Sequence, residues 1–183
     1  NWVENDIEKE ALQSLGIPVS GVCPSFLGDI NKFKISYKPG KKVNVYLSSG
    51  EGRQEEYGFA LIEGIATELP NFIFHLYGAS WKTKQKNVKI HGRISKEQMN
   101  KEIKDYQIGL RCNEFDGFSE ILAKAILQGQ YVIGKVIHPL IPSYDDEEEL
   151  ISILKILGNK KESNPIRNYY LKNLNKYPWV TKA

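Results

Sequence analysis

The 183 residues carry 25 Lys and Arg against 22 Asp and Glu, a net charge of +3, with 41% hydrophobic and 11% aromatic side chains. This balance excludes a disordered chain, a collagen-like repeat and a disulfide scaffold, and it lacks the strong basic bias of a dedicated nucleic-acid binder. The length suits about one domain, which buries about 70% of its unfolded surface and can hold a core without staples. No apolar run approaches the roughly 20 residues of a membrane span. Cys23 and Cys112 stand far apart, a usage that fits free thiols in a reducing compartment, so a cytoplasmic location is expected. The chain opens on Asn1-Trp2 without a Met or a signal peptide, so it is expected to be cut from a longer protein.

Asn5-Asp6-Ile7-Glu8 reads as a capping box, followed at helical spacing by Ala11, Leu12 and Leu15 and stopped by Gly16. Residues 17–40 lack sustained periodicity and read as a connector with one short strand near Gly21-Val22-Cys23. Residues 1–40 are therefore separated from a domain over 41–183. The first clear strand is Val43 to Ser49. A helix follows with Phe59, Ile62, Ile65 and Leu69 on one face, ended by Pro70. Strands are predicted at Phe72–Tyr77, Val88–His91, Ile108–Cys112 and Tyr131–Ile133. Between and after them lie helices at Ser95–Tyr106 (Ser95 as N-cap), Phe118–Leu127, Asp145–Leu157, and one opened by Asn164-Pro165.

Strands and helices alternate, and the strands are short, apolar on both faces and mostly stopped by Gly. That pattern predicts an α/β fold: a Rossmann-like, doubly wound parallel sheet of five or six strands with helices on both faces. Ligands of such sheets bind outside the carboxyl ends of the strands. Loops 48–58, 78–87, 92–95, 112–119 and 134–144 are thus the places to look.

Loop 48–58 holds Gly50, Gly52 and Arg53 between a strand and a helix. Glycines admit a ligand to the backbone, helix N–H groups face phosphate, and Arg pairs with its oxygens; a plain strand-to-helix turn with a solvated Arg has the same signature. In Cys112–Ser119, Asp116 either holds a ligand beside Gly117 or serves as a helix N-cap. Glu120 and Lys124 stand at i, i+4 and suit a surface ion pair. His75, His91 and His138 show no metal-ligand spacing and read as structural or solvated; no metal site is expected. Lys82, Lys84, Lys86, Lys89 and Arg93 read as a solvated edge rather than a nucleic-acid surface. The acidic run 145–149 suits a helix N-terminus.

In their order these segments resemble the C-terminal, donor-binding half of GT-B glycosyltransferases, the retaining group 1 or family 4 type. The Gly-Arg loop at Val43–Gly58 is similar to the one that meets the donor diphosphate. Phe72–Gly78, Asn87–Ser95 and Asp116-Gly117-Phe118-Ser119 with Ala125 and Gln128–Ile133 resemble further family motifs, as does Tyr177-Pro178-Trp179 at the last helix. The resemblance implies a nucleotide-diphosphate sugar as donor substrate, no bound metal or other cofactor, and retaining transfer to a glycan, lipid or protein acceptor bound by a missing N-terminal half. It implies that Arg53 contacts the diphosphate with the backbone of Gly50 and Gly52, and that Asp116 holds the sugar. Gly117, Phe118 and Ser119 would supply helix-terminal donors, Lys124 would lie near ribose or phosphate, and Arg93 and Ile94 would flank the base. A lipid acceptor would bring the parent protein to a membrane surface. Three features depart from the family pattern. Asp116 and Lys124 replace its two Glu, its phosphate Lys falls near Tyr57 or Gly58, and its Gly-Gly-x-x-Glu stretch is cut down to Lys135–Pro142. These departures leave a second reading, a degenerate glycosyltransferase-like module that binds a nucleotide or a partner without turnover.

Overall fold

The computed structural model describes residues 1–4, 6–22, 33–114, 119–135 and 140–174, with the backbone alone at 7, 173 and 174. Asn5, Cys23, Asp116, Gly117, Phe118, His138 and Tyr177-Pro178-Trp179 lie outside the described residues.

The chain begins with strand β1 (Trp2–Val3), helix α1 (Asp6–Ser14) and strand β2 (Gly21–Val22), which pairs parallel with β1 as a separate two-stranded sheet. β2 is the strand expected near Gly21, while β1, only two residues long, carries no periodicity that could announce it. At the start of α1 the Glu8 carboxylate reaches back to the Glu4 N–H (2.8 Å). The main body runs β3 (Val43–Ser48), α2 (Phe59–Ile65), β4 (Phe72–Tyr77), β5 (Val88–Gly92), α3 (Lys96–Ile103), β6 (Ile108–Arg111), α4 (Glu120–Leu127), β7 (Tyr131–Gly134), α5 (Glu147–Gly158) and α6 (Ile166–Leu174). Its five strands form one all-parallel sheet in the order β5-β4-β3-β6-β7. The predicted fold class is the observed one.

Alternation along the strands sorts the core into two layers. Val43, Val45 and Leu47 of β3, Phe72, Phe74 and Leu76 of β4, and Ile108 and Leu110 of β6 face Phe59, Ile62 and Ile65 of α2 and Leu150, Ile151 and Leu154 of α5. Tyr46, Tyr77 and Val132 face the other way, against Ile103 of α3, Ile121, Leu122, Ala125 and Ile126 of α4, and Ile166 of α6. Each such fully buried side chain contributes about 1.5–3 kcal/mol of transfer free energy.

Helix ends follow local chemistry. α2 gives way to a 3-10 turn over Ala66–Glu68 instead of running to Leu69, because the residue before Pro70 is pushed out of the helical region. Ser95 caps α3 by accepting from Gln98 N–H (3.1 Å). The acidic run makes a reciprocal box at α5: Asp146 Oδ1 accepts from Glu149 N–H and Glu149 Oε2 from Asp145 N–H, both at 2.8 Å. Gln130, fully buried, accepts from the Tyr46 hydroxyl and donates to Ile103 C=O, tying β3, β7 and α3 together.

No helix joins β4 to β5. The connection, residues 78–87, lies extended along α2 and is pinned there by Glu63, whose carboxylate accepts from Thr83 Oγ1 (2.6 Å) and Lys84 N–H (2.9 Å). Asn87 Nδ2 donates to Ala66, Leu69 and Phe72 C=O. Lys82, Lys84 and Lys86 are the exposed outer side of this strap, the solvated edge expected of them.

On the α3 side of β3, β4 and β5 the core is polar. His75 Nε2 lies 3.0 Å from Asn44 Oδ1, and its Nδ1 lies 2.9 Å from His91 Nε2 and 3.0 Å from the Tyr106 hydroxyl. Tyr77 donates to Glu102 Oε2 (2.7 Å), which also lies 3.3 Å from His91 Nδ1. Burial, then His91 and Lys89, push the His75 pKa down to about 3, with Glu102 acting in the opposite sense. The unfolded chain takes up this proton near pH 6.5, the folded chain not until about pH 3. Stability is therefore complete above about 6.5 and falls as pH drops from there toward 3. His75→Gln, which keeps a donor toward Asn44, is expected to flatten the decline of the urea midpoint between pH 7 and 4; parallel curves for variant and wild type would contradict this account.

Candidate functional site

The strand order reverses between β3 and β6, so the crevice above their carboxyl ends is the place where this topology holds ligands. Loop 50–58 leaves β3 over that crevice. It is a run of tight turns: Arg53, Tyr57, Gly58 and Phe59 N–H groups donate to Gly50, Arg53, Glu55 and Gln54 C=O. These four donors are therefore committed within the loop rather than offered to a ligand. Gly58 closes the loop at φ +85°, and a Cβ there would stand 2.4 Å from Cys112 Sγ, so only glycine lets the loop settle on the end of β6. Cys112 is a free, buried thiol; burial leads, and its pKa rises to about 11. Such a thiol is a packing residue and not a nucleophile.

Arg53, expected at the diphosphate, is engaged by Glu56, which accepts from both Nε (2.8 Å) and Nη2. The Glu56 carboxyl is held below its usual range chiefly by the Arg53 hydrogen bond, against a small effect of burial. Glu51 ties the same loop to the one after β4, accepting from Ser80 N–H (3.1 Å) and Ser80 Oγ (2.9 Å). A cavity of about 370 Å³ is lined by Gly52, Arg53 and Trp81. Trp81 stands edge-on against Phe59, and its buried indole N–H has no hydrogen-bond partner. Neither Glu51 nor Trp81 was legible as a site residue, since both come into place through the strap that replaces a crossover helix.

A second cavity, about 270 Å³, opens between the carboxyl ends of β3 and β4 and the first turns of α3 and α4, lined by Ser49, Tyr77, Ile94, Ser95 and Lys124 among others. Here the structure brings together Ile94 and Lys124, which are 30 positions apart. Lys124 is buried. Its Nζ lies 2.9 Å from Glu120 Oε1, which also takes Lys96 Nζ at 2.7 Å. The expected surface pair is thus a half-buried triad with one net positive charge. Burial works upward on the Glu120 carboxyl, and the two lysines outweigh it and hold it below its usual range. Gly50 is exposed, with open space where a Cβ would be. Arg93 is exposed just past Gly92 of β5. Ser119, buried, is the N-cap residue of α4, though its hydroxyl makes no capping bond. The cap of α4 thus falls three residues beyond Asp116, for which the sequence allows that role. The described residues place Arg53 and Lys124 in separate cavities and not in one. Among them, no group of three His, Cys, Asp or Glu side chains is placed to hold a metal ion, and no helix is long and apolar enough to cross a membrane. A larger cavity, about 400 Å³, lies at the amino ends of β3 and β4 beside Lys41 and Lys155, the end where this topology does not place ligands.

No protein-family model matches the sequence, and no curated protein matches it. Solved structures do match. The lipopolysaccharide outer core galactosyltransferase WaaB in its apo form is similar at TM-score 0.66 and 18% identity, over 97% of this chain and 61% of that one. The pneumococcal O-GlcNAc transferase GtfA in complex with UDP and GlcNAc is similar at 0.57 and 17%, over 99% and 40%. HepE from Anabaena, in complex with UDP and glucose, is similar at 0.63 and 13%, over 96% and 62%. The likeness is one of fold: this chain is folded as one Rossmann-like half of a GT-B glycosyltransferase and spans 40% to 62% of the lengths of these three proteins.

The Arg53–Glu56 pair is exposed, and exposed pairs are weak, so a multiply charged anion can displace Glu56. Glu56→Gln is expected to raise the affinity for pyrophosphate roughly two- to fivefold in calorimetric titration. Unchanged or weaker binding would mean that the anion does not take the place of the Glu56 carboxylate.

Proposed function

We propose that this chain is the donor-binding, C-terminal half of a retaining glycosyltransferase, and that it binds a nucleotide-diphosphate sugar across the carboxyl ends of β3, β4 and β6. The observation that carries the reading is the meeting of Ile94 and the buried Lys124 in one cavity at those strand ends, beside the loop that holds Arg53. Fold alone would not assign an activity; the placement of these side chains is what supports a site here.

In this reading Arg93 and Ile94 flank the base, and Lys124 meets the ribose or the adjoining phosphate. Arg53, with the backbone of Gly50 and Gly52, holds the diphosphate once Glu56 is displaced. Asp116 holds the sugar hydroxyls, and the N–H groups of Phe118 and Ser119 at the start of α4 complete the donor set. Fixed donors aimed at the leaving diphosphate stabilise the charge that develops as the glycosidic bond breaks. No bound metal is called for. The acceptor, a glycan, lipid or protein, is held by the other half of the parent protein, which a lipid acceptor would bring to a membrane surface. Residues 1–40 form the approach from that half and 41–183 the donor domain. The free thiol of Cys112 suits a cytoplasmic location, and nucleic acid has no part in this function.

A second reading, a module that binds the nucleotide or a partner without turnover, is favoured by one observation: both expected cations, Arg53 and Lys124, already have carboxylate partners in Glu56 and Glu120. Calorimetric titration of the full-length parent with UDP, GDP and ADP and their sugar conjugates separates the two. One nucleotide is expected to bind, with Arg53→Ala weakening it roughly tenfold or more, and Asp116→Ala removing the extra affinity of the sugar conjugate while sparing the nucleotide. Binding without transfer selects the second reading, and no nucleotide binding contradicts both.

A further inference from the structure

The resemblance calls for a second phosphate-binding cation shortly after Arg53, and the sequence offers Tyr57 and Gly58 there. The structure supplies a cation from another strand. Arg111 is the last residue of β6, the strand that pairs with β3 where the order reverses. Val45 pairs with Ile108 and Tyr46 with Gly109, and the same register continued puts Arg111 level with Ser48, directly beneath the start of loop 50–58. Its guanidinium lies over the Tyr57 ring, 4.3 Å from the centroid, while the Arg53 guanidinium lies 4.8 Å from the same centroid. One aromatic ring thus contacts two guanidinium groups, one from loop 50–58 and one from the end of β6.

We infer that Arg111 is the second cation of the diphosphate site, standing in for the Lys absent at 57, with Tyr57 as the stem that holds it beside Arg53. The inference rests on the donor-site reading above. Two like charges on one ring repel, and Glu56 is a counter-charge to both: its carboxyl is lowered by Arg53 first and by Arg111 as well. Replacing that one carboxylate by a diphosphate puts two or more negative charges opposite two forked donors, each able to grip oxygens bidentately. The exchange also explains the aromatic residue at 57. A Lys there would add a third cation beside Arg111, whereas Tyr presents a π face that steadies it.

The test uses the full-length parent, titrated with UDP, GDP and ADP; the tightest of them is then compared with its own nucleoside. Arg111→Gln is expected to weaken the diphosphate about ten- to a hundredfold and to leave the nucleoside unchanged, which separates loss of a phosphate contact from loss of fold. Arg111→Lys is expected to keep part of the affinity. Tyr57→Lys added to Arg111→Gln is expected to restore most of it, since the charge returns on the loop. A diphosphate affinity within about twofold of wild type in Arg111→Gln, with Arg53→Ala still disruptive, overturns the assignment of Arg111 and leaves the donor site standing. An equal loss for nucleoside and diphosphate, or no rescue by Tyr57→Lys, also overturns it. Wild-type protein that binds none of the three nucleotides overturns both.

Discussion

Everything at the carboxyl end of the sheet depends on one close approach, that of Gly58 to Cys112. The left-handed backbone at Gly58 costs a residue with a side chain about 1–2 kcal/mol, and the missing Cβ leaves room for the sulfur of Cys112. With that contact made, the turns of loop 50–58 close on themselves, Glu51 reaches Ser80, and the Tyr57 ring comes to lie over the end of β6. A second approach has the same logic: a Cβ at Gly78 would stand 2.1 Å from Ser49 C=O, so β4 can leave the sheet close beside β3 only without a side chain there. These contacts settle loop 50–58 and the start of the 78–87 strap on the carboxyl ends of β3 and β6.

The other half of the site is set from beneath. α3 rests on an apolar contact at Ile103 and, beside it, on a polar layer in which Tyr77, His75, His91 and Glu102 are linked. Buried polar groups that are all paired fix one arrangement, because each alternative leaves a donor or acceptor without a partner. The layer holds α3 at a set height above β4 and β5, which fixes the cavity between Ser95, Ile94 and Lys124. The buried Lys124 is paired with Glu120, which it shares with Lys96. Loop, strand end and helix are therefore set by different interactions, and the proposed donor site lies where they meet.

The fold was legible because its signals are local and repeat. Apolar runs that end in glycine, helices with one apolar face, Ser95 as a cap and the acidic start of α5 each act over a few residues. β1 was illegible because two residues have no period, and the strap over 78–87 because an extended crossover has no pattern of its own until Glu63 pins it. In the site, Arg53, Ile94 and Lys124 could be singled out by loop position and resemblance. The carboxylates that engage two of them could not be assigned: Glu56 is one of three acidic residues between 51 and 56. Arg111 is illegible in the sequence for the same reason. As the last residue of an apolar strand it has no motif, and its meaning lies in the register of β6 against β3 and in a ring 54 positions earlier in the chain.

The central claim is that the crevice above β3 and β6 receives the diphosphate and the cavity beside α3 the nucleoside. The most direct measurement is amide chemical-shift mapping of the isotope-labelled 183-residue chain during titration with UDP, GDP and ADP in turn. The account predicts that the perturbed amides cluster at Gly50–Gly58, Arg111–Asn113, Arg93–Ser95 and Ser119–Lys124. Perturbations confined to the cavity at the opposite strand ends, beside Lys41 and Lys155, or an unchanged spectrum at millimolar concentrations of all three nucleotides, would contradict it.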